Sequence, residues 1–314
     1  MSFDRRQAQA FALLGIVMVL WAGNSIVARA VRFEIAPFTL AFLRWTGASL
    51  VVAPFAIRPL IRDWPAIVKG WKPLLALGLL GIGAFNSLLY SGLQYTPATN
   101  ALLLQAATPA VMMALDRWLF GVRHARLQAI GVSASMLGVL VIVFEGDAAA
   151  ALRLHFGLGD ALILISVVVW SLYTVLLRLR PEISPTSFIA VTFFIGVAVM
   201  APLAAWEWHS GETIAWSPRV YAAVFYVALL PSLLSYFIYN HATRIVGPAQ
   251  AGQAITLMPL FGAFLSAALL GERLHPFHFA GMALILAGIV LSLLAGRGKE
   301  VAGAAKEPPL EDPG

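Results

Sequence analysis

The chain contains no cysteine, which excludes disulfides, haem thiolates and cysteine-ligated metals. Charge is scarce as well: Asp, Glu, Lys and Arg make up only 11% of the residues, while 60% are hydrophobic. No H-E-x-x-H pair, no phosphate-binding loop with its lysine and no G-x-S-x-G elbow occurs, and among six scattered histidines only His275 and His278 stand close together. A metalloenzyme needs three or four convergent ligands, and an ATP-driven pump needs a nucleotide-binding motif. The expectation is a protein that is not an enzyme, with no catalytic residue, cofactor or metal site.

What is present instead is apolar length. Mean hydropathy is +0.85, and a helix needs about 20 apolar residues to cross roughly 30 Å of hydrocarbon. Segments near 8–29, 36–57, 73–94, 98–116, 127–145, 158–178, 185–206, 218–240, 248–270 and 277–295 meet that requirement. The fold class expected is therefore an all-α integral membrane protein with ten transmembrane helices. A net charge of +6 could point to nucleic acid, but 15 of the 21 Lys and Arg residues fall in short segments on one side, where the positive-inside rule explains them. That orientation places both termini in the cytoplasm. Arg5, Arg6 and Ala28-Arg29-Ala30 imitate a cleavable signal peptide; this reading is rejected because Trp21, inside the segment that would be removed, has a mate at Trp170. The partners expected are the lipid bilayer and a small solute, with no nucleic acid, and a monomer suffices.

Trp21 to Val143 and Trp170 to Leu293 read as two copies of one five-helix segment. Trp21 pairs with Trp170 at an offset of 149, Pro37 with Pro185 and Pro54 with Pro202 at 148, and Pro109 with Pro259, Gly131 with Gly281 and Gly138 with Gly288 at 150. A five-helix unit begins and ends on opposite sides, so the second copy lies inverted relative to the first. Two interchangeable halves can expose one central cavity first to one side and then to the other. The domains expected are 1–147, 155–295 and a disordered cytoplasmic tail at 296–314, and transport is the leading class.

The polar residues inside the runs come in matched stripes. Trp21, Asn24, Ser25 and Ala28 follow helical spacing, and the second copy answers with Trp170, Tyr173 and Thr174. Asn86, Tyr90 and Gln94 meet Tyr236, Asn240 and Arg244, so that Asn and Tyr trade places. Asn100, Gln105 and Thr108 precede Pro109, while Gln250, Gln253 and Thr256 precede Pro259. Single hydroxyls of this kind usually serve as interhelical hydrogen bonds. Paired stripes of amides and rings point instead to a cavity for a neutral or zwitterionic organic solute, lined by Trp21, Asn24, Ser25, Asn86, Tyr90, Asn100, Gln105, Trp170, Tyr173, Tyr236, Asn240, Gln253 and Thr256. Pro109, Pro231 and Pro259 interrupt apolar runs and are candidate hinges.

Arg44 is the one basic residue well inside a run, with Thr192 as its mate. Its burial costs several kcal/mol or more, and two explanations stand: a structural cation capping carbonyls or snorkelling outward, or a ligand for a substrate carboxylate. No Asp or Glu lies mid-run, so coupling through an intramembrane carboxylate is disfavoured and facilitated or weakly coupled movement is expected.

Trp21-Ala22-Gly23-Asn24, the run Ala36-Pro37-Phe38-Thr39 through Arg44-Trp45, and above all Pro259 through Gly271-Glu272-Arg273-Leu274 to Gly281 and Gly288 resemble the EamA family of the drug/metabolite transporter superfamily over roughly residues 8–295. The first copy departs from the pattern at Val122, where the family often carries Glu. The resemblance implies a secondary metabolite transporter of the cytoplasmic membrane, with a cavity between the repeats and the fifth and tenth helices as scaffold. Its lining is most similar to YddG-type exporters of aromatic and other neutral amino acids. A permease for a nucleotide sugar, sugar phosphate or drug-like compound stays open, as does a channel or receptor.

Overall fold

A computed structural model describes residues 5–96, 101, 104–144, 146–147, 157–270 and 275–304. All regular elements among these residues are helical: α1 (Arg5–Ala30), α2 (Pro37–Lys69), α3 (Trp71–Tyr95), α4 (Thr108–Phe120), α5 (Arg126–Val143), α6 (Leu158–Leu179), α7 (Pro185–His209), α8 (Pro218–Val246), α9 (Pro248–Ala254, a 3₁₀ turn Ile255–Leu257, then Met258–Leu270) and α10 (Pro276–Ala304). The helices α1, α2, α3, α6, α7 and α8 are long and apolar enough to cross a membrane, and Arg126–Ile142 and Pro276–Ser292 form shorter apolar stretches.

The helix starts follow from local chemistry. Pro37, Pro185, Pro218 and Pro248 stand in the first helical turn, where the missing N–H would have no intrahelical partner in any case. The Ser184 and Ser217 hydroxyls accept the N–H groups of Ser187 and Val220 at 3.1 and 3.2 Å, and Gly121 ends α4 at φ 65°, a left-handed conformation that glycine adopts without strain.

Three boundaries differ from the sequence expectation. Helix α2 runs on to Lys69, because past its lipid-length apolar run it continues as a helix carrying Arg58, Arg62 and Asp63 beside exposed Ile61 and Trp64. Hydropathy detects only the part suited to hydrocarbon. Helix α10 continues to Ala304 rather than giving way to a tail at 296, since the Gly, Lys and Glu residues there carry no break strong enough to stop a helix already propagating; residues 305–314 lie outside the described residues. In the fourth segment Ala101, Leu104 and Gln105 are helical, a turn at Ala106 and Ala107 interrupts the helix, and α4 then runs to Phe120, past the expected end at 116.

Burial is inverted relative to a water-soluble protein. Asn24, Arg44, Asn86, Gln105 and Asn240 are buried, whereas Leu50, Phe55, Ile57, Ile130 and Phe225 face outward, as expected where the surrounding solvent is lipid. The core gathers fully buried Trp45, Tyr90, Tyr173, Phe188, Phe193, Tyr236 and Tyr239, supplied by α2, α3, α6, α7 and α8. Helix α2 packs along α7, α3 along α6, and α1 along α8.

Helices α5 and α10 pack most extensively of all. They are antiparallel, with Gly131 opposite Gly288 and Gly138 opposite Gly281. A methyl group built at Gly131 would lie 2.5 Å from the Gly288 carbonyl, and one at Gly138 would lie 2.6 Å from the Gly281 carbonyl. Ser135 donates to the Ile285 carbonyl at 3.2 Å between the two crossings. Small residues let backbones approach this closely in lipid, where apolar surface alone provides no drive to associate.

Both α3 and α8 break their regular geometry at matching places, in π-helical turns at Leu79–Ala84 and Ala228–Leu234. Glycines 81 and 83 permit the first, and Pro231, which lacks an N–H, sits inside the second. Such turns leave carbonyls for side chains to claim. Pro109 and Pro259 likewise follow departures from α geometry, with Thr108 and Thr256 donating to the Gln105 carbonyl and, at 2.7 Å, to the Gln253 carbonyl. If Pro109, Pro231 and Pro259 are hinges, alanine at the first and last positions slows transport severalfold; rates equal to the parent protein's in a liposome assay would dismiss the role.

Candidate functional site

Each π turn is gripped by a side chain of the opposite half. Trp21 on α1 donates its indole N–H to the Pro231 carbonyl at 2.9 Å, and Tyr236 on α8 donates its hydroxyl to the Gly81 carbonyl at 2.6 Å. The exchanged Asn and Tyr of the two repeats form equivalent bonds: Tyr90 donates to Asn24 Oδ1 at 2.9 Å, and Tyr173 donates to Asn240 Oδ1 at 3.0 Å.

Arg44 lies at the centre of this arrangement, 2% exposed. Its Nη1 donates to Asn24 Oδ1 at 3.2 Å, Asn86 Oδ1 at 3.0 Å and the Tyr90 hydroxyl at 2.6 Å, its Nη2 to the Pro231 carbonyl at 3.3 Å, and its Nε to the Ser232 hydroxyl. The guanidinium also lies over the Trp45 ring, 4.6 Å from its centroid, a favourable cation–π placement. Every acceptor is neutral, and no described carboxylate lies within ion-pairing distance of Arg44. The fork geometry of arginine satisfies several acceptors at once, so Arg44 ties α1, α2 and α3 to the π turn of α8 while its charge stays uncompensated.

Beside it lies a void of about 20 Å³ lined by Trp21, Asn24, Ser25, Arg44, Phe85, Leu89, Gln105, Tyr236 and Met258. That is room for about one water, so the centre is closed. An aromatic cluster closes it: Trp21 and Trp170 meet edge to face with centroids 5.1 Å apart, and Tyr239 packs against both at 5.0 and 5.3 Å.

Of the residues singled out from sequence, Trp21, Asn24, Ser25, Arg44, Gln105 and Tyr236 meet at the void, Asn86 and Tyr90 stand behind them as partners of Arg44, and Trp170 and Tyr173 belong to the aromatic cluster. Asn240 joins Tyr173 and faces a second cavity. Gln253 turns away from the void: its amide donates to the Gly288 carbonyl at 2.9 Å and to Ser135 at 3.3 Å, which ties α9 to the α5–α10 pair. Thr256 donates to the Gln253 carbonyl of its own helix and shows no other hydrogen bond among the described residues. Asn100 lies outside the described residues. Sequence reasoning passed over Phe85, Leu89, Tyr239 and Met258, which look like any lipid-facing residue in an apolar run, and Ser232, discounted as a single hydroxyl. Tyr239 alone left a signal, three residues from Tyr236 and therefore on its face.

The two ends of the molecule differ. At one, Glu207 at the end of α7 is 4% exposed and caps α2, accepting from the Phe38 N–H at 2.9 Å, the Thr39 N–H at 2.7 Å and the Thr39 hydroxyl at 2.7 Å, where the helix dipole favours an anion. Ala215 donates its N–H to the Glu34 carbonyl at 2.8 Å, and Arg219 Nη2 to the Ala30 carbonyl at 2.9 Å. This end is sealed. Glu207→Ala removes three charge-assisted bonds, so the Phe38 and Thr39 amides are expected to exchange hydrogen at least tenfold faster, at about 1.5 kcal/mol or more for such bonds; unchanged protection by mass spectrometry would show that Glu207 is not the clasp. The other end opens into a cavity of about 800 Å³ lined by Arg62, Asp63, Arg178, Arg180, Ser184, Asn240 and Arg244, among others.

A lipid-facing apolar exterior around a buried network of amides, rings and a cation, with a large cavity at one end, defines a multi-pass membrane protein. Residues 9–144 and 157–294 match the model of the EamA-like transporter family, and the chain belongs to that family. It is 29% identical to an uncharacterized transporter of Archaeoglobus fulgidus over 89% of this chain and 96% of that relative. To the uncharacterized inner membrane transporter YedA of Escherichia coli it is 24% identical, over 92% of each chain. To a WAT1-related protein of Arabidopsis thaliana it is 25% identical, over 94% of this chain and 84% of the other. A crystal structure at 20% sequence identity shares the fold with a TM-score of 0.69, covering 92% of this chain and 98% of that one.

Proposed function

We propose that the protein moves small zwitterionic metabolites, foremost aromatic and other hydrophobic amino acids, out of the cell by alternating access, as a secondary transporter with ten transmembrane helices in two inverted repeats. The observation that carries this reading is the uncompensated Arg44 guanidinium beside an aromatic cluster at the molecular centre. A carboxylate would neutralise the cation through a bidentate hydrogen-bonded pair, the rings of Trp21, Trp170 and Tyr239 offer stacking area, and Asn24 and Gln105 offer amide partners. One cation suits one anionic charge; a phosphate ester would want more.

The equivalent Tyr–Asn bonds, the π turns at matching places and the antiparallel glycine crossings support two inverted halves, with α5 and α10 as scaffold. The basic ends of α2, α6 and α8 support placing the open end in the cytoplasm of a bacterial inner membrane, with both termini on that side, and the working unit is a monomer. Access to Arg44 from the open end requires the Trp21–Trp170–Tyr239 cluster to part.

Counterflow tests the substrate class. Purified protein in liposomes loaded with unlabelled amino acid is expected to accumulate labelled tryptophan, phenylalanine or methionine saturably without a pH gradient. Trp170→Ala should reduce this by about tenfold, at the 1.5 kcal/mol or so that an aromatic stacking contact contributes. Absence of saturable exchange for all three would overturn the amino-acid assignment.

A further inference from the structure

The 800 Å³ vestibule falls in the size range of ligand sites, and its charges are unevenly matched. Arg62 pairs with Asp63 at 2.8 Å; that bond, together with the Ser184 N–H, holds the Asp63 carboxyl well below the usual carboxylate range. Arg178 pairs with Asp116 and lies over the Phe120 ring, 4.3 Å from its centroid. Arg180 and Arg244 have no described carboxylate within 4.0 Å, and Glu182, the remaining acid of the wall, is exposed at the rim. Burial, then the neighbouring Arg244, push the Arg180 guanidinium below its ordinary range, as expected for a partly buried cation with a second cation beside it.

Asn240 contributes a third donor. It is 4% exposed and lines the vestibule. Its Oδ1 is taken by Tyr173, while its Nδ2 has no hydrogen-bond partner. A buried amide without an acceptor is destabilising, a penalty that a ligand oxygen would relieve. Two guanidiniums thus border an open space, and the unpartnered Asn240 amide lies buried in its wall, beneath the aromatic cluster.

We propose that Arg180, Arg244 and Asn240 form a carboxylate-capturing site, occupied before the central one, for a small organic anion. Under the transport reading above, on which its biological role rests, the ligand is the carboxylate end of the carried amino acid. Field focusing by a positively lined cleft raises the local concentration of an anion, and the captured carboxylate then waits one aromatic layer from Arg44.

Arginine labelling with phenylglyoxal, read by mass spectrometry on the full-length purified protein, tests the site without depending on transport. Benzoate is expected to slow labelling of Arg180 and Arg244 severalfold, while benzamide, of the same shape but uncharged, leaves it unchanged; exposed Arg58 responds to neither. Asn240→Asp, which places an anion at the same position, removes the benzoate effect. Failure of benzoate to protect, or equal protection by benzamide, overturns the proposal. Protection by benzoate in a protein that exchanges no amino acid in counterflow leaves the site standing and refutes the amino-acid reading instead. In a transporting protein, Arg180→Gln and Arg244→Gln each raise the half-saturation concentration from the vestibule side severalfold at unchanged maximal rate.

Discussion

Arg44→Leu is expected to lower transport by roughly 10–100-fold while barely moving the thermal midpoint. A hydrogen bond to a charged group contributes about 1.5–3 kcal/mol, and losing one such bond to substrate gives that range of rates. Stability responds differently because two effects oppose each other. Removing the guanidinium orphans the Asn86 oxygen, at about 1–3 kcal/mol, whereas Asn24 keeps Tyr90 and the Pro231 carbonyl keeps Trp21 as donors. Against that, an uncompensated buried cation no longer has to be desolvated, which returns several kcal/mol. Arg44→Lys keeps the charge but loses the fork that reaches α1, α3 and α8 together, and an intermediate rate is expected. Counterflow paired with thermal unfolding in detergent separates these outcomes. Wild-type transport by Arg44→Leu would make the residue purely structural.

Gly138→Leu produces the opposite signature, a large loss of stability. A side chain there drives its first carbon to within 2.6 Å of the Gly281 backbone oxygen, and backbone cannot swing aside as a flexible side chain can. Helices α5 and α10 must separate, which endangers the Ser135 bond to Ile285 and the Gln253 bond to Gly288. A cost above about 4 kcal/mol follows for overpacking of this kind combined with a broken network. Leu137→Ala, one residue away but 55% exposed, should change stability by no more than about 0.5 kcal/mol. Equal thermal midpoints for the two variants would show that the glycine crossing is not the scaffold.

How much of this was legible beforehand varies with the physics. Apolar run lengths place helices well, since lipid imposes a fixed thickness, yet the same criterion missed the amphipathic end of α2. The Gly131/Gly281 and Gly138/Gly288 spacing was visible because glycines at a constant offset have few other reasons to recur. Arg44 announced itself as an isolated cation. Its partners did not: Asn24, Asn86, Tyr90 and Ser232 lie 20 to 188 residues away, and only tertiary packing unites them. Repeat symmetry assigns Gln253 to the cavity, but its side chain reaches the α5–α10 pair, because matching positions in two sequence copies need not keep matching roles. Arg180 and Arg244 were absorbed into the orientation rule, which explains why basic residues sit on one side and leaves open what they face.

Accessibility of a single cysteine at Ser25 tests the central claim of alternating access most directly. The protein has no native cysteine, so Ser25→Cys gives one reporter, 1% exposed at the closed centre. In sealed proteoliposomes, a membrane-impermeant thiol reagent is expected to reach it slowly from either face, with transported solute slowing both reactions. Labelling from one face alone, or from neither while transport continues, would contradict a central site presented in turn to the two sides of the membrane.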